Sequence, residues 1–201
     1  FMESLRITPH LVEARNNLGS LLYANGRYAE AHEHFADALQ SSPRDPDVLN
    51  NMGLALLALD KQDEAIANFR KAVENRQDFA MAHNNLGYAL AKKGRMEDAI
   101  AEYRTALRID PKFTLALNNL GHALIKTGKP NEGAEQFRMA VETDPSSVPA
   151  RMNLGRALAG QKRYQEACAA FMEVLKIAPQ NAEAENAVRT LRGEMSRQGI
   201  R

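Results

Sequence analysis

Asn84-Asn85-Leu86-Gly87 decides how this chain is read. The tetrad returns as Asn16-Asn17-Leu18-Gly19, Asn50-Asn51-Met52-Gly53 and Asn118-Asn119-Leu120-Gly121. With its first Asn exchanged, it returns once more as Met152-Asn153-Leu154-Gly155. Its five glycines lie 34 residues apart each time. A sustained period of that length marks stacked supersecondary units, none of which can bury its apolar face alone. Alignment on the glycines sets five units, 12–45, 46–79, 80–113, 114–147 and 148–181, flanked by 1–11 and 182–201.

Other residue types keep fixed offsets from each glycine. Three residues on stand Leu22, Leu56, Leu90, Leu124 and Leu158. Further along come Ala31, Ala65, Ala99, Gly133 and Ala167, and four residues later Phe35, Phe69, Tyr103, Phe137 and Phe171. Pro43, Pro111, Pro145 and Pro179 close four units, with Gln77 in that slot of the remaining one. In this order the slots resemble the tetratricopeptide repeat over nearly the whole chain. The resemblance implies an all-α fold, a right-handed α-solenoid superhelix of antiparallel helix pairs whose first helices line a concave groove.

Each slot has a physical reason. The tetrad glycine removes a side chain where two helices cross closely, and the small residue on the second helix is its partner. That packing offsets the roughly 1 kcal/mol helix penalty of an interior glycine. The aromatic residue is expected to fill the space towards the next repeat. The proline stops the second helix, because the residue before it avoids the helical region. Asn25-Gly26 and Lys93-Gly94 read as turns that need a positive φ. Asp60 and Lys162 hold that turn position in repeats two and five and predict more strained turns.

The ends and repeat four depart from the pattern. Phe1, Leu5, Ile7 and Pro9 match the close of a second helix, so 1–11 reads as the end of a truncated preceding repeat, with more chain upstream. Residues 182–201 read as a capping helix and tail, with Ala184, Val188, Leu191 and Met195 on one stripe opposite a charged face. An uncapped N-terminal end predicts a homo-oligomer or a packed neighbour. In repeat four, Pro130 suits a first helical turn, whereas Gly133 in a helix interior predicts the least stable second helix. Gly133→Ala is expected to stabilise it unless packing needs the small residue.

Composition narrows the function classes. Lys+Arg 26 against Asp+Glu 25 lacks the basic excess of a nucleic-acid binder. No apolar run approaches the roughly 20 residues of a membrane span. The single cysteine, Cys168, excludes an internal disulfide and suits a reducing compartment, with the cytoplasm as the expected location. Cys168 sits among alanines as a packing residue, and His32 and His34 alternate rather than pairing at helical spacing. No phosphate loop, paired carboxylates or nucleophile elbow is present, so the visible chain is read as no enzyme, with no cofactor and no metal.

Helical spacing places Glu13, Asn16, Asn17, Ser20 and Tyr23 on one face of the first helix, with Ala14, Leu18, Leu21 and Leu22 towards the core. The later equivalents are Asp47, Asn50, Asn51, Leu54 and Leu57, then Met81, Asn84, Asn85, Tyr88 and Lys92. Leu115, Asn118, Asn119, His122 and Lys126 follow, and last Asn153 and Arg156. Acid marks the early repeats, and Lys92, Lys112, His122, Lys126 and Arg156 mark the later ones. Apolar anchors with acidic groups nearer repeats three to five are therefore expected of a ligand.

An amide donates and accepts at once, so a stacked row can pair with any extended backbone. The row is similar to the Asn ladder in the repeat superhelix of O-linked N-acetylglucosamine transferases. The matching residues are Asn17, Asn51, Asn85, Asn119 and Asn153. A structurally bonded role for the same residues is the competing reading. The Lys/Asn clamp of chaperone-binding relatives is absent, since Asn16, Ser20, Asn84 and Asn85 hold its slots. Three functions stay open. The chain is a scaffold holding a protein or peptide in its groove, a substrate-recruiting arm of an enzyme such as a glycosyltransferase, or a self-assembling scaffold.

Overall fold

A computed structural model describes residues 2–199, with side chains from residue 11 onward. Among them are eleven helices and no strand. They are α1 (Met2–Ala24), α2 (Tyr28–Ser41), α3 (Pro46–Ala58), α4 (Gln62–Asn75), α5 (Ala80–Lys92) and α6 (Met96–Ile109), followed by α7 (Thr114–Lys126), α8 (Pro130–Thr143), α9 (Val148–Gly160), α10 (Tyr164–Ile177) and α11 (Ala182–Arg197). The chain forms two compact units, Phe1–Asp110 and Pro111–Arg201. Each is a stack of helix hairpins in which odd-numbered helices also touch one another, α1 on α3 and α3 on α5 in the first unit and α7 on α9 in the second.

The turn inside every hairpin is the same device. The N–H of Arg27 donates to the Leu22 carbonyl at 2.9 Å, and Lys61, Arg95, Lys129 and Arg163 donate likewise to Leu56, Leu90, Leu124 and Leu158. This bond from the third residue beyond the helix end closes a Schellman motif, which requires a left-handed residue one position earlier. That residue is Gly26, Gly94 and Gly128 at φ 75–80°, but Asp60 at φ 60° and Lys162 at φ 61°. The two non-glycine turns expected to be strained do adopt the unfavourable backbone. Between hairpins, side chains cap the starts of α3, α9 and α11, whereas α5 and α7 start without a side-chain cap. The Asp45 carboxylate accepts from the N–H of Asp47 and Val48, Ser147 from Ala150, and Asn181 from Ala184.

The tetrad glycine has a different principal neighbour from the one expected. A Cβ added at Gly19, Gly53, Gly87, Gly121 or Gly155 would lie 2.6–2.7 Å from the ring of Phe35, Phe69, Tyr103, Phe137 or Phe171 of its own hairpin. The aromatic ring therefore fills the notch its own glycine leaves and also packs on the next repeat, Phe137 against Ala157 and Leu154 of α9. These five rings are at most 2% exposed, and burying each contributes on the order of 1.5–3 kcal/mol.

Four local expectations change. Residues 2–24 form one helix, so the chain does not break at Pro9; a proline already has a helical φ and can be accommodated at the loss of one hydrogen bond and some strain. The other residues expected to mark that end, Phe1, Leu5 and Ile7, have side chains outside the described residues. In α1 only Leu22 of the expected core positions is buried, while Ala14 is exposed and Leu18 and Leu21 are 43% and 60% exposed. In the described structure no second helix covers that face of α1, as α2 and α4 cover α3 and α5. The α4 helix stops at Asn75 without a proline, and His83 bridges the Gln77 carbonyl (3.2 Å) and Glu102 (2.7 Å) there. Finally, Gly133 is a packing requirement: a Cβ would lie 2.7 Å from both the Gly121 carbonyl oxygen and Ile125 Cγ1.

Candidate functional site

The paired Asn residues of the tetrads are tied to each other across hairpins. Asn51 Nδ2 donates to Asn16 Oδ1 at 3.0 Å, Asn85 Nδ2 to Asn50 Oδ1 at 2.9 Å, and Asn153 Nδ2 to Asn118 Oδ1 at 3.0 Å. The rule is that the first Asn of one repeat accepts from the second Asn of the next, 35 residues on. In the first unit the pairs join head to tail, because Asn50 donates to Asn51 and Asn84 to Asn85, both at 3.3 Å. Asn84, Asn85, Asn50, Asn51 and Asn16 thus form one chain of five amides. Low surrounding dielectric strengthens such a chain, and Asn84, Asn50 and Asn85 are only 1%, 4% and 8% exposed. Asn17, the remaining early ladder residue, is exposed.

The second unit ends its network differently. Asn118 donates to the Thr114 carbonyl at 2.9 Å. Asn153 accepts from Arg156 Nη1 at 3.2 Å. Asn118 and Asn119 are half-buried. In repeat five, Met152 replaces the accepting Asn, and the residue 35 further on is Ala187, which donates nothing. Both belong to the apolar packing between α9, α10 and α11. The loss of an acceptor and of its donor together was legible as the i to i+35 spacing, and sequence reasoning missed it.

Beside the amides lies a mixed apolar and cationic surface. In the first unit Leu54 is half-buried, Met81 and Tyr88 are exposed, and the Lys92 ammonium sits 6.0 Å from the Tyr88 ring centre. Asp47 is engaged by Arg76 at 3.0 Å, and Arg76 also stacks on Phe79. Near it, Glu13, Asp45 and Asp47 edge a cavity of about 470 Å3. In the second unit Leu115, His122 and Lys126 are exposed, and the His122 ring meets Phe137 edge-on at 4.9 Å. Desolvation lowers the His122 pKa below its ordinary value, and the positive charges of Arg156 and Lys126 lower it further. Arg156 in turn donates through Nε to Glu183 at 3.1 Å.

Among the described residues, no three or more His, Cys, Asp or Glu side chains gather where they could hold a metal, and Cys168 is buried. No described helix is long and apolar enough to cross a membrane.

Helix hairpins repeated at a constant period, with their first helices side by side, define an α-solenoid repeat protein. A family model of the tetratricopeptide repeat matches residues 8–46, 16–76, 50–112 and 118–182, and the chain belongs to that family. Three solved structures share the fold. PilF of Pseudomonas aeruginosa has a TM-score of 0.80 at 18% identity, over 95% of this chain and 93% of that one. A thermophilic protein of the family from Thermus thermophilus gives 0.70 at 22%, over 90% and 98%. YrrB, described as having an unusual peptide-binding site, gives 0.71 at 21%, over 94% and 97%. No curated protein matches the sequence. The fold supports a protein–protein interaction scaffold.

Proposed function

We propose that the first-helix face of each unit holds an extended segment of a partner protein. The observation that carries this reading is the amide network. It fixes the orientation of Asn51, Asn85 and Asn153 beside exposed apolar and cationic side chains, so a ligand meets an ordered surface. Each of these amide oxygens has a second acceptor site beyond the one the network uses, and Asn85 and Asn153 keep a second N–H. Ordering these groups before binding reduces the entropy that a ligand has to offset. The first Asn of each pair, at 50, 84 and 118, acts as a positioning residue; of the second, the half-buried Asn51, Asn119 and Asn153 face the ligand, with Asn85 buried between its amide neighbours. Leu54, Tyr88, Lys92, His122, Lys126 and Arg156 supply anchors and charge. YrrB, whose own description includes a peptide-binding site, is consistent with this use of the fold.

The test is affinity capture with wild-type chain, a Tyr88→Ser/Leu115→Ser variant, and a Met139→Ser/Met172→Ser control on the second helices. Partners lost with the first variant and kept by the control are expected. An unchanged partner set for the first variant overturns the reading.

The exposed Leu11, Leu18 and Leu21 on α1 favour a second reading, association of two copies through that helix. Sedimentation across a concentration series tests it, with concentration-independent monomer as the failing result.

A further inference from the structure

A cavity of about 330 Å3 opens between α7 and α9, above α8. Its volume falls at the lower end of ligand pockets, roughly 300–1,000 Å3. Phe137, 1% exposed, forms its floor, and Ile125, Pro130 and Ala157 line its walls. Gly160, the last residue of α9, lines it where the earlier first helices end on Ala24, Ala58, Lys92 and Lys126. A Cβ at Gly160 would meet nothing within 4 Å. His122, Asn153 and Arg156 stand at the polar rim. The guanidinium of Arg156 is held in place by Glu183 through Nε and Nη2 and shares Nη1 with Asn153. Lys126, exposed one helical turn beyond His122, has no ion-pair partner among the described residues.

We propose that this cavity takes one apolar side chain of an acidic peptide, with a neighbouring Asp or Glu of that peptide on Lys126 and Arg156. The proposal rests on the first-helix face being the ligand surface. An apolar floor with a cationic rim selects against basic segments, whose charge would meet Lys126 and Arg156. It also selects against uniformly polar acidic segments, which leave Phe137 and Ile125 unfilled. Burial is the main cause of the lowered His122 pKa, and the charges of Arg156 and Lys126 add to it. A neutral imidazole there adds a hydrogen-bonding edge without adding charge.

The experiment is selection of randomised peptides displayed on phage against the whole chain, followed by binding of the selected peptides to variants. Gly160→Leu fills the cavity from a position with open space around it, and Lys126→Glu reverses the rim charge. Circular dichroism melts confirm that both variants fold. Selected sequences are expected to place Leu, Met or Phe beside Asp or Glu. Each variant is expected to weaken them by roughly tenfold or more, about 1.4 kcal/mol. Peptides that Tyr88→Ser weakens but Gly160→Leu leaves untouched would keep the ligand face and overturn the cavity. Selected peptides without acidic residues overturn it as well. Failure to select any peptide overturns both.

Discussion

The two units use the same repeat to hold their first helices together, yet they finish the job with different chemistry. In α1–α6 the tetrad amides join one another in a chain from Asn84 to Asn16, with the Ser20 hydroxyl beside its end. In α7–α9 the corresponding chain runs from the Arg156 guanidinium through Asn153 and Asn118 to a backbone carbonyl. The first arrangement is neutral and largely buried; the second reaches the surface and ends there on the Arg156–Glu183 ion pair. The adjoining cavities follow suit, acidic beside α1 and α3 and cationic beside α9. A structural repeat thus leaves room for function at the ends of its hydrogen-bond chains, where a partner outside the repeat is required.

The comparison is broken most directly at its acceptors. Asn50→Leu orphans Asn85 Nδ2 and Asn51 Oδ1 in a buried site, at about 1–3 kcal/mol for each group. Asn118→Leu is expected to cost about 1 kcal/mol or less, because Asn153 retains Arg156 and is only half-buried. Urea unfolding with amide exchange of α3, α5, α7 and α9 measures the difference, and equal losses would mean that the two networks are equivalent.

Overpacking comes next. Gly133→Ala pushes a methyl onto the Gly121 carbonyl and Ile125, with an expected loss of about 1–3 kcal/mol. Ile125→Ala in the same chain recreates the Ala91/Ala99 and Ala159/Ala167 pairing of its neighbours and should recover part of it. A single Gly133→Ala variant that melts higher than wild type would contradict the packing account.

A gain is expected at the turns. Asp60→Gly and Lys162→Gly relieve a left-handed backbone that costs a non-glycine residue roughly 1–2 kcal/mol, less the greater unfolded-state entropy of glycine. Each should add about 0.5–1 kcal/mol, one in each unit, as seen in thermal melts. The smallest effect is electrostatic. The His122 pKa is lowered on folding, so between its folded value and about 6.5 the unfolded chain binds more protons. Stability from this group is complete above about pH 6.5 and is lost as the pH falls through the folded value. His122→Gln should flatten that part of the melting-temperature profile between pH 7.5 and 5, whereas Lys92→Gln in the first unit should leave it unchanged.

Much of the architecture was legible because it depends on local rules. Gly26 and Gly94 announced left-handed turns, and Asp60 and Lys162 could be placed at the same backbone angle by register alone. The α11 stripe of Ala184, Val188 and Leu191 is buried as its helical spacing required. Less was legible of the candidate site. Spacing placed Asn50 and Asn84 on the polar face of their helices, and the fold buries both; over Asn50 lies the next first helix, α5, which brings it the Asn85 amide. Leu21 read as core and is exposed, since helical periodicity names a face without naming what covers it.

The sequence by itself determined the period, the helix pairs and the turns, since a 34-residue repeat with fixed small, aromatic and left-handed positions admits one way of stacking hairpins. Tertiary structure alone decided which ring fills each glycine notch, why Gly133 must stay small, and where the amides point. Those outcomes turn on distances of about 3 Å between atoms on different helices, and no rule of position along one helix sets the distance to the next. The Asn-Asn half of the tetrad is for that reason first a clasp between hairpins, and only through the clasp an ordered surface for a ligand.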